Sequence, residues 1–221
     1  MLGLRVNVPI ACFRKGYARE YLETEQLPPP ATAYGFLLSL IGETDRYKHI
    51  GARVTVSIVE PPPDLEASHA PRISTVLRTL WRVKNKDLAP GAGANARPDF
   101  QQLLSPIDLV LWLDSEKEEN SVTLESRVAE ALYNPASVTR FGGLCLGESA
   151  HLVDSVDRIP DQGDTALQGR TFTLAEQGRL SLPIWVDHVG SKGTRYAVGD
   201  LTGPSPLAAP AVADLPVISP G

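Results

Sequence analysis

The sequence predicts an α+β domain with ferredoxin-like element order, and three observations lead there. Several short stretches alternate apolar and polar residues, as half-buried strands do. Two other segments space their apolar residues as helices do. The two kinds follow one another as strand, helix, strand, strand, helix, strand, which is the split βαβ arrangement.

Each element has its own signal. Leu2, Leu4, Val6 and Val8 alternate with Gly3, Arg5 and Asn7, giving a strand with one buried face. Pro28, Pro29 and Pro30 then hold the chain extended, because proline fixes φ and restricts the residue before it. Thr32 is expected as the N-cap of a helix carrying Ala33, Phe36, Leu37, Leu40 and Ile41 on one face, with Gly42 as its stop. Gly35 inside that helix implies that something packs closely on its backbone. Val54, Val56 and Ile58 form a second strand, ended by Pro61, Pro62 and Pro63. DLVLWL, Asp108 to Leu113, is apolar on both faces and reads as a central strand. Ser121 or Thr123 caps a second helix with Leu124, Val128, Ala131 and Leu132 on its inner face, closed by Pro135. A strand or turn runs from Val138 to Leu146, and LPIWVDH and RYAVGDL read as two further strands.

Two segments stand outside this core. Residues 72–106 read as a hairpin arm with a glycine-rich tip, GAGANARPD. The stretch from Leu201 is rich in proline and alanine and is expected to lie extended on the surface or to be partly mobile.

The formal net charge is −5, with 21 Lys and Arg against 26 Asp and Glu, which argues against a histone-like nucleic-acid binder. Locally the balance differs. Arg72, Arg78, Arg82, Lys84, Lys86 and Arg97 face only Asp87 across residues 72–97, a local +5. An acidic mean therefore hides a basic stripe, and the stripe is what a phosphate meets. Residues 114–130 are acidic instead, and the neighbours Glu118 and Glu119 read as part of a solvated face. Cys12 and Cys145 lack zinc or redox spacing and read as small core residues in a reducing compartment. With no signal peptide pattern and no apolar run near the length of a membrane span, the protein is expected to be soluble and cytoplasmic, without membrane contact.

The richest stretch is Phe13 to Glu43, FRKGYAREYLETEQLPPPATAYGFLLSLIGE. Arg14, Lys15 and Arg19 alternate with Phe13, Tyr17 and Tyr21, a mixture suited to phosphates and unstacked bases. It runs into a helix N-terminus, whose free N–H groups also favour anions. This set reads either as a phosphate clamp or as an ordinary charged loop. The arm has two readings as well. Arg78, Arg82, Lys84 and Lys86 with Trp81 would grip RNA on a projecting ribbon, or form a solvated hairpin with Trp81 packed at its root. Arg140 and Phe141 before Gly142 and Gly143 suit either a close approach of RNA backbone or a tight turn between strands.

These motifs carry a resemblance. The CFR at Cys12 to Arg14 and the PPPATAYGFLLSLIGE block resemble the N-terminal block of the CRISPR-associated protein Cas five family, RAMP-superfamily subunits of type I Cascade complexes, closest to the DevS-like branch. RFGGLCLGES from Arg140 resembles the glycine-rich loop of RAMP proteins, and the 72–106 insertion matches the family's thumb in its place along the chain. The resemblance covers roughly residues 1–150 and implies an RRM-like RAMP domain with thumb there; beyond it, the two further strands read as a β extension over 151–200, followed by the proline- and alanine-rich tail over 201–221. It implies a non-catalytic subunit that grips the 5′ handle of a CRISPR RNA in antiviral defence. Such a subunit caps the backbone-subunit filament, seats the large subunit and reaches target DNA only through the complex. Arg14, Lys15, Tyr17, Arg19, Thr32, Tyr34, Arg78, Trp81, Arg82, Lys84, Lys86, Arg140, Phe141, Gly142 and Gly143 would contact RNA.

Two other functions stay open at this point: a metal-independent endoribonuclease that processes precursor CRISPR RNA, and a protein-binding scaffold. Cleavage needs a general base and acid around a 2′-hydroxyl. His49, His69, His151 and His188 are scattered outside the basic-aromatic segments, and Tyr47, Lys48 and His49, though adjacent, are not expected to converge. No P-loop, metal cluster or Ser-His-Asp order is evident, so no catalytic residue, metal or cofactor is assigned.

Overall fold

The computed structural model describes residues 1–16, 21–61, 71–81, 87–89, 95–189 and 191–220, with only the backbone at 80, 81, 96 and 97. In chain order the strands and helices are β1 (Leu2–Val8), β2 (Phe13–Arg14), β3 (Thr24–Glu25), α1 (Pro30–Leu40) and β4 (Arg53–Glu60). Next come β5 (Arg72–Trp81), β6 (Ala96–Ser105), β7 (Ile107–Asp114) and α2 (Leu124–Tyr133). The chain ends through β8 (Ser155–Ile159), β9 (Gly163–Leu174), β10 (Leu180–Trp185), β11 (Arg195–Leu201) and β12 (Ser205–Ala208). The architecture is mixed α/β and mostly strand. Among the described residues no helix is long and apolar enough to cross a membrane.

One antiparallel sheet runs in the order β10-β11-β9-β4-β7-β1-β8, with β12 paired to β9. β1 and β4, joined through α1, flank β7; β7 and β8, joined through α2, flank β1. β7 is central, as its unbroken apolar run requires, and Leu109, Val110, Leu111, Trp112 and Leu113 are all fully buried. One face packs under α1 and α2 with Leu4, Val6, Leu111 and Phe172. The other holds a smaller cluster of Val59, Val110, Trp112, Ile159 and Leu207. There the Trp112 indole N–H donates to Ser57 Oγ at 2.8 Å, so the buried indole is satisfied.

The start of α1 differs from expectation. Pro29 is the N-cap and Pro30 the first helical residue, so Thr32 lies inside the first turn; its N–H and that of Ala33 both donate to Pro29 O. Proline suits the first position because that N–H has no helical partner. The end matches: Gly42 has φ +67° and donates to Ser39 O, while Glu43 N–H reaches back to Leu38 O, the double bond of a Schellman stop. A Cβ on Gly42 would lie 2.2 Å from Thr139 O, so only glycine fits. Gly35 contradicts its reading: it is exposed, and nothing lies within 4 Å of where its Cβ would be. In α2, Thr123 is the cap, its Oγ1 accepting from Ser126 N–H at 3.2 Å.

β5 and β6 form a separate two-stranded hairpin, in register from Arg72 opposite Ser105 to Trp81 opposite Ala96. Between Val138 and Leu146 the chain makes turns rather than a strand, with one bridge from Cys145 to Leu152. The C-terminal segment is extended but not loose. Leu215 and Ile218 are buried, and Ile218 exchanges bonds with Ala52 O at 2.8 Å and Gly51 N–H at 3.0 Å. We expect Ile218→Ala to cost about 2–4 kcal/mol in urea unfolding; a loss below about 0.5 kcal/mol, the range of surface substitutions, would mean this segment does not hold the fold.

Candidate nucleic-acid interface

The sheet register brings three chain segments to one end. Val8 lies opposite Ile107 on β7, and Asn7 lies opposite Ser155 on β8. The segment leaving β1, the hairpin entering β7 and the loop entering β8 therefore emerge side by side. Backbone bonds join the first two: Ala11 and Leu104 exchange N–H···O bonds at 3.0 and 2.8 Å, and Leu22 bonds Phe100 O and Gln102 N–H at 2.9 Å each. Thr24 stitches the pair further, its Oγ1 accepting from Phe13 N–H and its N–H donating to Gln102 Oε1 at 3.1 Å.

The third segment closes the junction through a polar knot. Gly147 adopts φ +104°, and a Cβ there would meet Cys12 O at 2.9 Å. That left-handed turn aims Glu148 at the hairpin, where its carboxylate accepts from Arg78 and from Gln101 Nε2, both at 3.0 Å. Arg78 also donates to Gln101 Oε1. Beneath this pair the His151 Nδ1 accepts two backbone N–H bonds, from Glu148 at 3.0 Å and Cys12 at 3.3 Å. An acceptor at Nδ1 fixes the neutral tautomer with the proton on Nε2. Burial pushes the His151 imidazole below its ordinary value, Arg78 adding to that effect and Glu148 opposing it. Burial likewise pushes the Cys12 thiol up.

The structure places the expected contact residues unevenly. Arg14 is exposed on β2 opposite Thr24. Lys15 lies beside it, its Nζ 3.5 Å from the Glu23 carboxylate with both side chains nearly half exposed. Tyr17, Arg19, Arg82, Lys84 and Lys86 lie outside the described residues, and Trp81 is placed only as the last residue of β5, opposite Ala96. Phe13 is buried in the core and offers no stacking plane, while Tyr21 packs edge-on against Phe100 at 6.5 Å between ring centres. Arg78 is at the junction, but its guanidinium is engaged with Glu148 and Gln101. Arg140 sits elsewhere, 3.5 Å from Leu40 O at the C-terminus of α1, where a cation suits the helix dipole. Beyond it Phe141 is fully exposed, Gly142 has φ +76° with open space around it, and Gly143 packs beside Leu152.

Thr32 and Tyr34 are not at the junction. Tyr34 is buried, and its hydroxyl donates to Arg46 O at 2.8 Å. Thr32 lines a groove of about 260 Å³ between α1 and β10, with Gly35, Arg46, Trp185 and His188. There the Arg46 guanidinium lies 3.7 Å over the Trp185 ring. Sequence reasoning missed Gln101, Glu148 and His151, whose roles come from side chains meeting across the junction. It also missed Tyr196, whose hydroxyl lies 3.3 Å from where a Cβ on Gly16 would sit.

His49, like His151, has structural surroundings, whereas His69 lies outside the described residues. His49 is fully buried: its Nδ1 meets Glu118 at 2.7 Å and its Nε2 accepts from Arg127 at 3.0 Å. Glu118 is thus no part of a solvated face. Its carboxylate also accepts from Ser115 Oγ and from Leu124 N–H, anchoring the start of α2. Arg127 and Lys48 converge on Glu43 and hold its carboxyl down to about 2, Lys48 contributing most. Tyr47 points away and packs on Trp185 at 5.1 Å between ring centres, so Tyr47, Lys48 and His49 do not converge. Among the described residues no group of three or more His, Cys, Asp or Glu is arranged to hold a metal.

Two outcomes follow. Because the folded-state pKa of His151 is depressed, its contribution to stability is full above about pH 6.5 and falls as the pH drops below that value. His151→Asn offers a carbonyl oxygen in place of Nδ1, so its urea midpoint is expected to lose that part of the pH dependence; an unchanged profile would assign the slope to other groups. Removing one partner of the buried His49–Glu118 pair by Glu118→Ala is expected to cost about 3–5 kcal/mol, and a cost under about 1 kcal/mol would show the pair is not coupled to the core.

No family model matches the chain. It is 52% identical over 219 residues to the CRISPR-associated protein Cas5 of Myxococcus xanthus (strain DK1622), covering 99% of this chain and 97% of that protein. A solved structure titled CRISPR RNA-guided surveillance complex contains a similar chain, with TM-score 0.53, 15% identity and coverage of 94% of this chain and 91% of that one. A second, titled Crystal structure of Cas protein, gives TM-score 0.48 at 15% identity over 95% and 94% of the two chains.

Proposed function

We propose, since this chain belongs to the Cas5 family of CRISPR-associated proteins, that it is a non-catalytic RNA-binding subunit of a type I Cascade complex, working in the cytoplasm in antiviral defence. Its central strands and two helices act as an RRM-like, ferredoxin-like RAMP core, and the β5–β6 hairpin acts as the thumb. The chain grips the 5′ handle of a CRISPR RNA, caps one end of the backbone-subunit filament and seats the large subunit. Target DNA reaches it only through that complex, where pairing reads sequence and protein holds backbone and shape.

One observation carries the reading. The basic segment around Arg14 and Lys15, the root of the hairpin and the turn from Gly147 to His151 run together at one end of the sheet. RNA contact by proteins of this kind needs a cationic groove with planes for unstacked bases, and Arg14, Lys15 and Tyr21 line this end with the exposed Phe100 and Tyr196. His151 lies within reach of the basic segment but is buried, with its Nδ1 occupied by two backbone donors. That position suits support of the loops and leaves no free base facing a 2′-hydroxyl.

The test is a titration of the purified chain with labelled repeat-derived RNA across salt, with and without EDTA and with the backbone subunit added. Expected is salt-sensitive binding without cleavage. Reversal of Arg14 and Lys15 to Glu is expected to weaken it about tenfold or more and to flatten the log–log salt slope by about 1–2. Cleavage that persists in EDTA would make the endoribonuclease reading correct. No binding, alone or beside the backbone subunit, would leave the scaffold.

A further inference from the structure

We propose that Glu148 is the positioning residue of the hairpin arm: with Arg78 and Gln101 it forms a latch that fixes the arm against the body. The β5–β6 hairpin stands off the main sheet as its own two-stranded ribbon. β6 is tied to the body by the backbone bonds of Ala11 and Leu22, but these leave the outer strand, β5, held through its partner. Side-chain contacts also reach β5 directly, on both of its faces. On one face Tyr21 Oη meets Thr75 Oγ1 at 3.3 Å. On the other, Arg78 and Gln101 are diagonal cross-strand neighbours, and Glu148 bonds both at 3.0 Å.

The chemistry of the second contact suits a fixed pose. Gln101 is fully buried, and its amide is used at both ends, Oε1 by Arg78 and Nε2 by Glu148. A bidentate carboxylate spanning a guanidinium and an amide allows one arrangement where a lone ion pair allows many. Glu148 is itself placed from beneath, since its own N–H donates to the buried His151 that also holds Cys12. Arg78 is therefore a tether of the arm and not a phosphate ligand, although it lies in the basic stripe.

The proposal reverses a simple electrostatic expectation. Removing a carboxylate from a face that binds RNA should tighten binding; removing a latch should loosen the arm and weaken it. The effect on RNA rests on the RNA-binding reading above, whereas the effect on the arm does not. The experiment is amide hydrogen exchange by mass spectrometry on the full chain, wild type against Glu148→Ala and Glu148→Gln, with the repeat-RNA titration run on the same samples. Expected for Glu148→Ala is about fivefold faster exchange within β5 and β6, unchanged exchange in β1 and β7, and weaker RNA binding. Glu148→Gln, with one acceptor oxygen left, is expected to fall between the two and serves if the alanine variant does not fold. Unchanged exchange in the arm overturns the latch whichever way RNA binding moves. Faster exchange in the arm of a protein that binds no RNA, alone or beside the backbone subunit, leaves the latch standing and rejects the RNA-binding reading instead.

Discussion

The register of the central strands is the constraint on which the rest depends. β7 is buried on both faces, so a one-residue slip would exchange Leu109, Leu111 and Leu113 with Val110 and Trp112 and spoil both cores at once. Gly3 enforces the same alignment from β1, since a Cβ there would run into Ile159 and Trp112 at under 3 Å. With the register held, Val8 must face Ile107 and Asn7 must face Ser155. The three segments that leave or enter at those positions have no choice but to meet. The candidate interface is thus a consequence of core packing, and the polar knot of Glu148, Arg78, Gln101 and His151 sets its details.

That division separates the net charge of −5 from the charge at this end of the sheet, where Arg14 and Lys15 lie. Two of the described acidic residues near the interface have structural partners: Glu148 holds Arg78 and Gln101, and Glu23 lies beside Lys15. An ionic network of Glu43, Arg127, His49 and Glu118 lies between the two helices and neighbouring loops and braces the start of α2. Charge counted along the chain therefore misstates charge presented to a ligand.

Much of the fold was legible because strong local signals agreed with the tertiary outcome. DLVLWL is the central strand, Gly42 is the helix stop, Thr123 is the cap of the second helix, and the 72–106 insertion is a hairpin. Where local chemistry offered two answers, the weaker was read: Pro29 and Pro30 start α1 without help from Thr32. The edge strand β8, SVDRI, and the long β9 escaped notice because polar residues dominate both and alternation is their only signature. Ile218 reads as part of a proline-rich tail, yet it fills the core beside Ala52. The site was legible as segments but not as contacts. Glu118 looked like a solvated carboxylate and Gly35 like a packing contact, because sequence shows a residue type and not what faces it.

The central claim is that RNA lies across the end of the sheet where these three segments meet. Photo-crosslinking of a repeat RNA to the protein, with adducts located by mass spectrometry, tests it most directly. Adducts on residues 11–25, on the β5–β6 hairpin and on the loop between α2 and β8 are the expected result. Adducts confined to the opposite end of the sheet, or to the groove between α1 and β10, would contradict it.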